Sequence, residues 1–205
     1  MIELLIFPFN GNGMEAVDCA AGNFKLVGFI DDTEEKQKAQ PFGFNVFSRE
    51  AIQKFSNAKI LAVPGSPASY LQRKNIIDGL KVGEERFARV IHPSAKISPR
   101  AKIGFNVLIM AGVVITANAQ IGNHICILPN TVIHHDVEIG DYTLIGSNVT
   151  VAGNSRVGNN CYVGSGASII NGIEIGERTL IGMGTNVLKS FPANSKLVGN
   201  PARTI

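Results

Sequence analysis

The chain has 205 residues, of which 45% are hydrophobic and 17% are charged, with a formal net charge of +3. This composition is typical of a folded globular protein and excludes a disordered one. The small charge excess, without a cluster of lysine or arginine, argues against a nucleic-acid-binding protein.

Redox and targeting features predict a cytoplasmic protein. The three cysteines, Cys19, Cys126 and Cys161, form no CxxC motif and cannot all pair, so we expect free, buried thiols in a reducing compartment. Residues 1–7 lack the cationic start and cleavage site of a signal peptide. No apolar run approaches the ~20 residues that span a bilayer, so we expect no membrane insertion.

The N-terminal part of the chain alternates predicted strands and helices. Strands are predicted at 1–7, 25–30, 60–63 and 87–91. Helices are predicted at 14–21, from Ser48 as N-cap to about 55, and at 69–80. This alternation predicts a small, parallel, Rossmann-like sheet with ligands at the carboxyl ends of its strands.

One rim of this sheet is a candidate nucleotide site. The backbone amides of residues 10–13, at a helix N-terminus, suit a phosphate, and Asp31 and Asp32 after the second strand suit a sugar hydroxyl. Pro8 stands where a dinucleotide fingerprint has its first glycine, which argues against NAD. The alternative is a loop that only closes the scaffold.

From Ile97 onward the chain repeats every six residues. Isoleucine or valine occupies positions 97, 103, 109, 115, 121, 127, 133, 139, 145, 151, 157, 163, 169, 175, 181 and 187. This period predicts a parallel β-helix in which the branched residues stack inside. Glycine follows the branched residue in half of the repeats, and we expect it to permit corner dihedrals that other residues avoid.

The histidines differ in their repeat positions. His135 follows the interior Ile133 by two residues, so its side chain should leave the coil beside Asp136, as a general base with a carboxylate would. His134 is expected to be a packing neighbour. We expect His124 to make polar contacts at the surface, and His92 to be structural.

The whole chain resembles one acyltransferase family, which includes bacillosamine-pathway UDP-sugar N-acetyltransferases, perosamine N-acetyltransferases and sialic acid O-acetyltransferases. The motifs that carry the resemblance are GFIDD at 28–32, VIHPSA at 90–95, HDVEIGD at 135–141 and VGNPA at 198–202. It implies a left-handed β-helix of three repeats per coil, with residues eighteen apart stacked in columns. It also implies a homotrimer that binds acetyl-CoA between neighbouring rods.

The resemblance also implies roles for individual residues. His135 would be the catalytic base and Asp136 its partner. The acetyl-CoA contacts would fall on Gly153, Ser165, Met183 and Leu144, and the nucleotide-sugar contacts on Asn10, Gly11, Asn12, Asp31, Asp32 and Gly65. Leu144 stands where close relatives carry a second histidine, and Pro64-Gly65 replaces their glycine after the third strand.

These observations predict two domains: a nucleotide-sugar-binding α/β domain at 1–89 and an all-β acyltransferase domain at 90–205. We expect transfer of acetyl to the amino group of a nucleotide-linked, dideoxy amino sugar in bacterial surface-glycan synthesis. The alternatives are a sugar O-acetyltransferase and a non-catalytic trimeric scaffold. A zinc site is not expected, because His124, His134 and His135 occupy different columns.

Overall fold

A four-stranded parallel sheet forms the N-terminal part of the protein, for which a computed structural model describes residues 1–205. Its strands are β1 Ile2–Phe7, β2 Phe24–Ile30, β3 Val46–Phe47 and β4 Lys59–Ala62, in the order β3-β2-β1-β4. The helices are α1 Gly11–Ala20, α2 Glu34–Ala39, α3 Ala51–Lys54 and α4 Arg73–Asp78, with 3₁₀ turns at Pro41–Gly43, Tyr70–Gln72 and Glu84–Arg86. The last four residues of β1 are all buried, because the central strand of a parallel sheet is covered on both faces.

The first helix begins three residues earlier than the predicted 14–21. Asn10 is its N-cap, and the side-chain oxygen of Asn10 accepts a hydrogen bond of 2.8 Å from the amide of Gly13. A Cβ atom at Gly13 would lie 2.5 Å from the carbonyl oxygen of Pro8, so only glycine fits there. The cap therefore fixes how the loop after β1 enters the helix.

Other predicted elements are shorter or were missed. The helix predicted from Ser48 to about 55 is only Ala51–Lys54; Glu50 holds the N-cap position, and Ser48 does not cap it. The helix predicted at 69–80 is the turn Tyr70–Gln72 followed by Arg73–Asp78. β3 is too short to show alternation, and α2 buries no residue, so neither has a hydrophobic pattern to read.

The predicted strand 87–91 does not complete the small sheet. Phe87 makes only an isolated bridge to Ile60, whereas β5, Arg89–Ile91, pairs with Val107–Ile109 of the following domain. The chain thus passes from one domain into the other within this segment. The division into 1–89 and 90–205 stays a prediction.

The C-terminal part is a rod of three parallel sheets, which we name by their surroundings. The histidine face consists of Lys96–Ile97, Val114–Ile115, Val132–Ile133, Thr150–Val151, Ser168–Ile169 and Asn186–Val187. The charged face consists of Lys102–Ile103, Gln120–Ile121, Glu138–Ile139, Arg156–Val157 and Glu174–Ile175. The covered face, which packs against the N-terminal domain, consists of β5, Val107–Ile109, Cys126–Ile127, Leu144–Ile145, Tyr162–Val163, Leu180–Ile181, Lys196–Val198 and Arg203–Thr204.

The branched residues of the repeat form the interior of this rod. All are buried except Ile97 and Ile103, which are partly buried in the first coil. Pairing joins residues eighteen apart, as Val132 with Thr150 and Ile133 with Val151. Three six-residue repeats therefore make one coil.

The role expected of the glycines after the branched residues is wrong. None of these glycines has a positive φ; the left-handed corner conformation falls two residues later, most often on asparagine, as at Asn148 and Asn160. Those glycines instead lie where successive coils touch. A Cβ atom at Gly158 would lie 2.6 Å from the backbone nitrogen of Glu177 in the next coil.

Replacing Gly158 with alanine should therefore destabilise the rod more than replacing a corner glycine. We expect Gly158→Ala to lower the free energy of unfolding by about 2–3 kcal/mol through overpacking. Gly172→Ala meets no atom within 4 Å and only adopts an unfavourable φ of 71°, so it should cost about 1 kcal/mol. Denaturant unfolding of both variants checks this, and equal losses would contradict the contact between coils.

Candidate active site

His135 and Asp136 form a hydrogen-bonded pair at the corner that follows the histidine face. Nδ1 of His135 lies 2.9 Å from Oδ2 of Asp136, and 56% of the His135 side chain is exposed. Asp136 holds a left-handed φ of 57°, and its other oxygen accepts from the side-chain amide of Asn118 at 3.0 Å. The hydrogen bonds from His135 and then Asn118 lower the pKa of Asp136, so its carboxylate is charged at neutral pH.

The other edge of the His135 ring lies against Gly153, one coil farther along the rod. A Cβ atom at Gly153 would lie 2.6 Å from both Cε1 and Nε2 of His135. The amide N–H of Gly153 makes no hydrogen bond within the chain. When Nδ1–H donates a hydrogen bond to Asp136, Nε2 carries the free lone pair on the side of the ring that faces Gly153.

Asp31 ties the first loop to the second strand. Its carboxylate accepts hydrogen bonds from the amides of Phe9 and Thr33 and from Nζ of Lys36, and only 4% of the residue is exposed. Burial raises the pKa of Asp31, but the hydrogen bonds from Lys36 and Thr33 outweigh it, so its pKa lies below the ordinary value. Asp32 is more exposed and pairs with Arg49 at 2.7 Å. The predicted nucleotide contacts of both acids stay predictions.

A cleft between the two domains brings together Asn12, Gly65 and Leu144. Its volume is about 190 Å³. The other lining residues are Ser66, Pro67, Leu128, Ile145, Gly146 and Tyr162. Gly65 has a φ of 121°, and a Cβ atom there would lie 2.9 Å from Cδ1 of Leu144, so the loop after β4 rests directly on the rod. Leu144 is thus an apolar wall of the same cleft as two residues of the predicted sugar-nucleotide site.

Ser165 and Met183 share a column at the corner that follows the covered face. The Ser165 hydroxyl accepts from the amide of Ser147 at 3.1 Å, and Met183 is 76% exposed. Within one chain this corner and the interdomain cleft lie apart from His135, which follows the next face of the rod. One subunit therefore does not bring all the predicted site residues together.

Comparison with known proteins identifies the repeat. Residues 100–134, 118–153 and 154–189 match the model of the bacterial transferase hexapeptide (six repeats). The matched residues lie within the rod, whose six-residue repeat is similar to that model. No protein in the curated set matches the chain.

Solved structures show the same two-part fold as this chain. PerB from Caulobacter crescentus, in complex with CoA and GDP-perosamine, has a TM-score of 0.87 at 24% identity over 100% of this chain and 97% of that one. The acetyltransferase domain of PglB from Neisseria gonorrhoeae FA1090, in complex with acetyl coenzyme A, has a TM-score of 0.85 at 22% identity, covering 99% and 98%. WeeI from Acinetobacter baumannii AYE has a TM-score of 0.82 at 24% identity, covering both chains fully. A Rossmann-like domain followed by a left-handed parallel β-helix, as predicted, is confirmed.

His124 is not the surface residue that its repeat position suggested. It is 5% exposed and lies between the hexapeptide rod and the N-terminal domain. Its ring stacks on Tyr142 at a centroid distance of 4.5 Å and meets Phe87 and Phe105 edge to face. Its expected column neighbour Asn106 does contact it, with Nδ2 at 2.9 Å from Nδ1 of His124. The predicted column of His124 and Asn106 is therefore correct, but the N-terminal domain covers it, so His124 is buried.

The cysteines are free and buried, as expected. Burial raises the pKa of Cys126 to about 12 and that of Cys19 and Cys161 to about 11. None is a thiolate at neutral pH, so none is a candidate nucleophile. No group of three or more histidine, cysteine or acidic side chains is arranged to hold a metal ion, and no helix is long and apolar enough to cross a membrane.

The buried His124 predicts a loss of stability in mild acid. Burial, and then the charge of Arg73, lower its pKa from 6.5 to about 4. The unfolded chain therefore binds this proton first as the pH falls, and the stability present above pH 6.5 is lost between pH 6.5 and 4. The loss should be roughly 3 kcal/mol.

Denaturant unfolding across that pH range measures the loss. His124→Phe should lower the slope of stability against pH by about one proton, whereas the half-buried control His92→Gln should keep the wild-type slope. The assignment to His124 is wrong if both variants keep the wild-type slope.

Proposed function

We propose that this protein is an acetyl-CoA-dependent N-acetyltransferase that acts on the amino group of a nucleotide-linked, dideoxy amino sugar. The observation that carries the proposal is the His135–Asp136 pair, which projects from the hexapeptide rod with Nε2 against Gly153, whose amide makes no hydrogen bond within the chain. Structures of similar fold support it, since one binds CoA and GDP-perosamine and another binds acetyl coenzyme A.

The chemistry follows from this pair. The sugar amine attacks the thioester carbonyl, a C–N bond forms, and Nε2 of His135 accepts the proton that the nitrogen loses. Asp136 holds Nδ1 and stabilises the imidazolium that results, because a nearby carboxylate favours the charged ring. The C–S bond then breaks, and the proton passes to the departing CoA thiolate. The Gly153 amide is a donor for the developing oxyanion.

The acceptor would lie in the interdomain cleft. Residues 10–12 stand at the N-terminus of α1, where backbone amides and the helix dipole favour a phosphate. Gly65 and Leu144 form the far wall of the cleft, where an apolar sugar edge would contact the leucine. Asp31 holds the loop after β1 by accepting a hydrogen bond from the amide of Phe9. Asp32 lies next to it at the end of β2.

A trimer would complete the site. His135 and the cleft lie apart within one chain, so a neighbouring rod must present its histidine to the cleft of the first. The histidine face offers a surface for this contact, because beyond His134 its outward column continues as Ala152, Ile170 and Leu188. Ile170 is 42% and Leu188 55% exposed, and because they are neighbours in this column they form a continuous apolar strip that a neighbouring rod would cover. Acetyl-CoA would lie in the groove between rods, along Gly153, Ser165 and Met183.

The enzyme would act in the cytoplasm, in bacterial surface-glycan synthesis.

The substrate is tested with UDP-, dTDP- and GDP-linked amino sugars and acetyl-CoA, with release of free CoA thiol as the readout. We expect turnover on at least one amino sugar and none on the corresponding hydroxy sugar. Activity on hydroxyl acceptors alone would replace the proposal with sugar O-acetylation. Absence of turnover with every acceptor would favour a non-catalytic scaffold.

The general base is tested by His135→Asn, which keeps a polar side chain but cannot take up a proton near neutral pH. The variant should lower kcat by about 10²–10⁴-fold. The half-buried control His92→Asn should keep wild-type kcat, because the His92 side chain hydrogen-bonds only to Ser94 in its own turn. Gly153→Ala should also lower kcat, since the added methyl group displaces the His135 ring. Wild-type kcat in His135→Asn would overturn the role of His135.

A further inference from the structure

Arg73 is the largest fully buried side chain of the protein, and sequence reasoning missed it. It lies at the start of α4 with 0% exposure. Nη1 donates to the carbonyl oxygen of Pro64, and Nη2 donates to that of His124 at 2.7 Å. One side chain of the N-terminal domain thus holds the loop after β4 and a corner of the rod at the same time.

No carboxylate neutralises this guanidinium. Arg73 takes part in no ion pair, and Nε has no hydrogen-bond partner. Burial lowers the pKa of Arg73 to about 10, so the group remains a cation at neutral pH. A buried, unpaired cation is a poor means of stabilising a fold, because its desolvation is not offset by a counter-ion. Its position therefore calls for another explanation.

The partners of Arg73 are themselves fixed. Asn106 binds both the amide and the carbonyl of Ala62 at the end of β4, at 2.7 and 2.9 Å. These two bonds orient the Asn106 amide so that its nitrogen faces Nδ1 of His124, which must then accept and leave His124 neutral. The stacked Tyr142 ring holds His124 from the other side. The carbonyl that receives Arg73 is thereby held in place.

The loop that Arg73 holds is a wall of the interdomain cleft. A Cβ atom at Gly65 would lie 3.7 Å from Cδ of Arg73 and 2.9 Å from Cδ1 of Leu144. The side chains of Arg73 and Leu144 therefore both lie against Gly65. A shift of the arginine would let this loop move away from the rod and widen the cleft.

We propose that Arg73 is a positioning residue of the acceptor cleft, which holds the Pro64–Gly65 loop at the distance from Leu144 that the sugar nucleotide requires. The proposal rests on the proposed function for the identity of the ligand. Arg73 does not touch the substrate; it acts through the carbonyl of Pro64 and the backbone of Gly65.

The test compares Arg73→Met with Arg73→Lys and with Arg86→Met. Arg86 is a matched control, because it also binds three backbone carbonyls of the N-terminal domain, at Ile52, Phe55 and Ala58, away from the cleft. Arg73→Met should raise the KM for the amino-sugar acceptor by about tenfold while the KM for acetyl-CoA stays unchanged. Arg73→Lys, which can still reach one carbonyl, should raise the acceptor KM less than Arg73→Met does. Arg86→Met should change neither the acceptor KM nor the acetyl-CoA KM.

A second measurement keeps this test independent of the catalytic assignment. Hydrogen exchange of peptides that cover residues 63–71 should be faster in Arg73→Met than in the wild type and in Arg86→Met. If the wild type transfers no acetyl group, the proposed function fails, yet faster exchange would still show that Arg73 holds the loop. Equal exchange in Arg73→Met and wild type, or equal rises of both KM values, would overturn the positioning role.

Discussion

The close approach of successive coils in the rod is the constraint on which the rest of the structure depends. Neighbouring strands of a sheet lie about 4.8 Å apart, so each residue meets its counterpart eighteen positions away. Branched side chains fill the interior, glycine is needed where two backbones touch, and the left-handed corner falls on asparagine or a tolerated substitute. The same spacing brings the ring of His135 onto the backbone of Gly153, so the candidate catalytic pair is a direct product of the coil geometry.

The second domain changes what the rod can present. Its sheet packs on the covered face, and the residues that point outward there are apolar: Leu108, Met110, Cys126 and Leu144. Leu144 shows the consequence most clearly, because it is both part of this apolar contact and a wall of the cleft beside Gly65. The family that this chain resembles has a second histidine at the position of Leu144. In this chain the same position makes an apolar contact between the two domains. The proposed chemistry accordingly depends on His135, Asp136 and the Gly153 amide alone.

A short chain of polar groups joins the domains at the edge of that apolar contact. The side chain of Asn106 hydrogen-bonds to Ala62 at the end of β4 and to the ring of His124. Arg73 of α4 donates a hydrogen bond to the backbone carbonyl of His124. Buried polar groups of this kind are costly unless their partners are well placed, so they define one relative position of the two domains. That position determines the width of the cleft, and through it the fit of the proposed acceptor.

Much of this protein could be predicted from local periodicity. The six-residue repeat determined the rod, its interior residues and the columns that place His135 beneath Gly153 and His124 beside Asn106, because each depends only on spacing along the chain. The sequence showed that glycine recurs after the branched residues, but not why. The contact between coils and the left-handed corner fall only two residues apart, so the repeat alone does not separate them. Only the tertiary structure decided the environments of His124, Arg73 and Leu144 and the passage of residues 89–91 into the rod. Those features arise where residues far apart in sequence pack together, Arg73 and His124 being 51 positions apart, and no periodic signal reports such contacts.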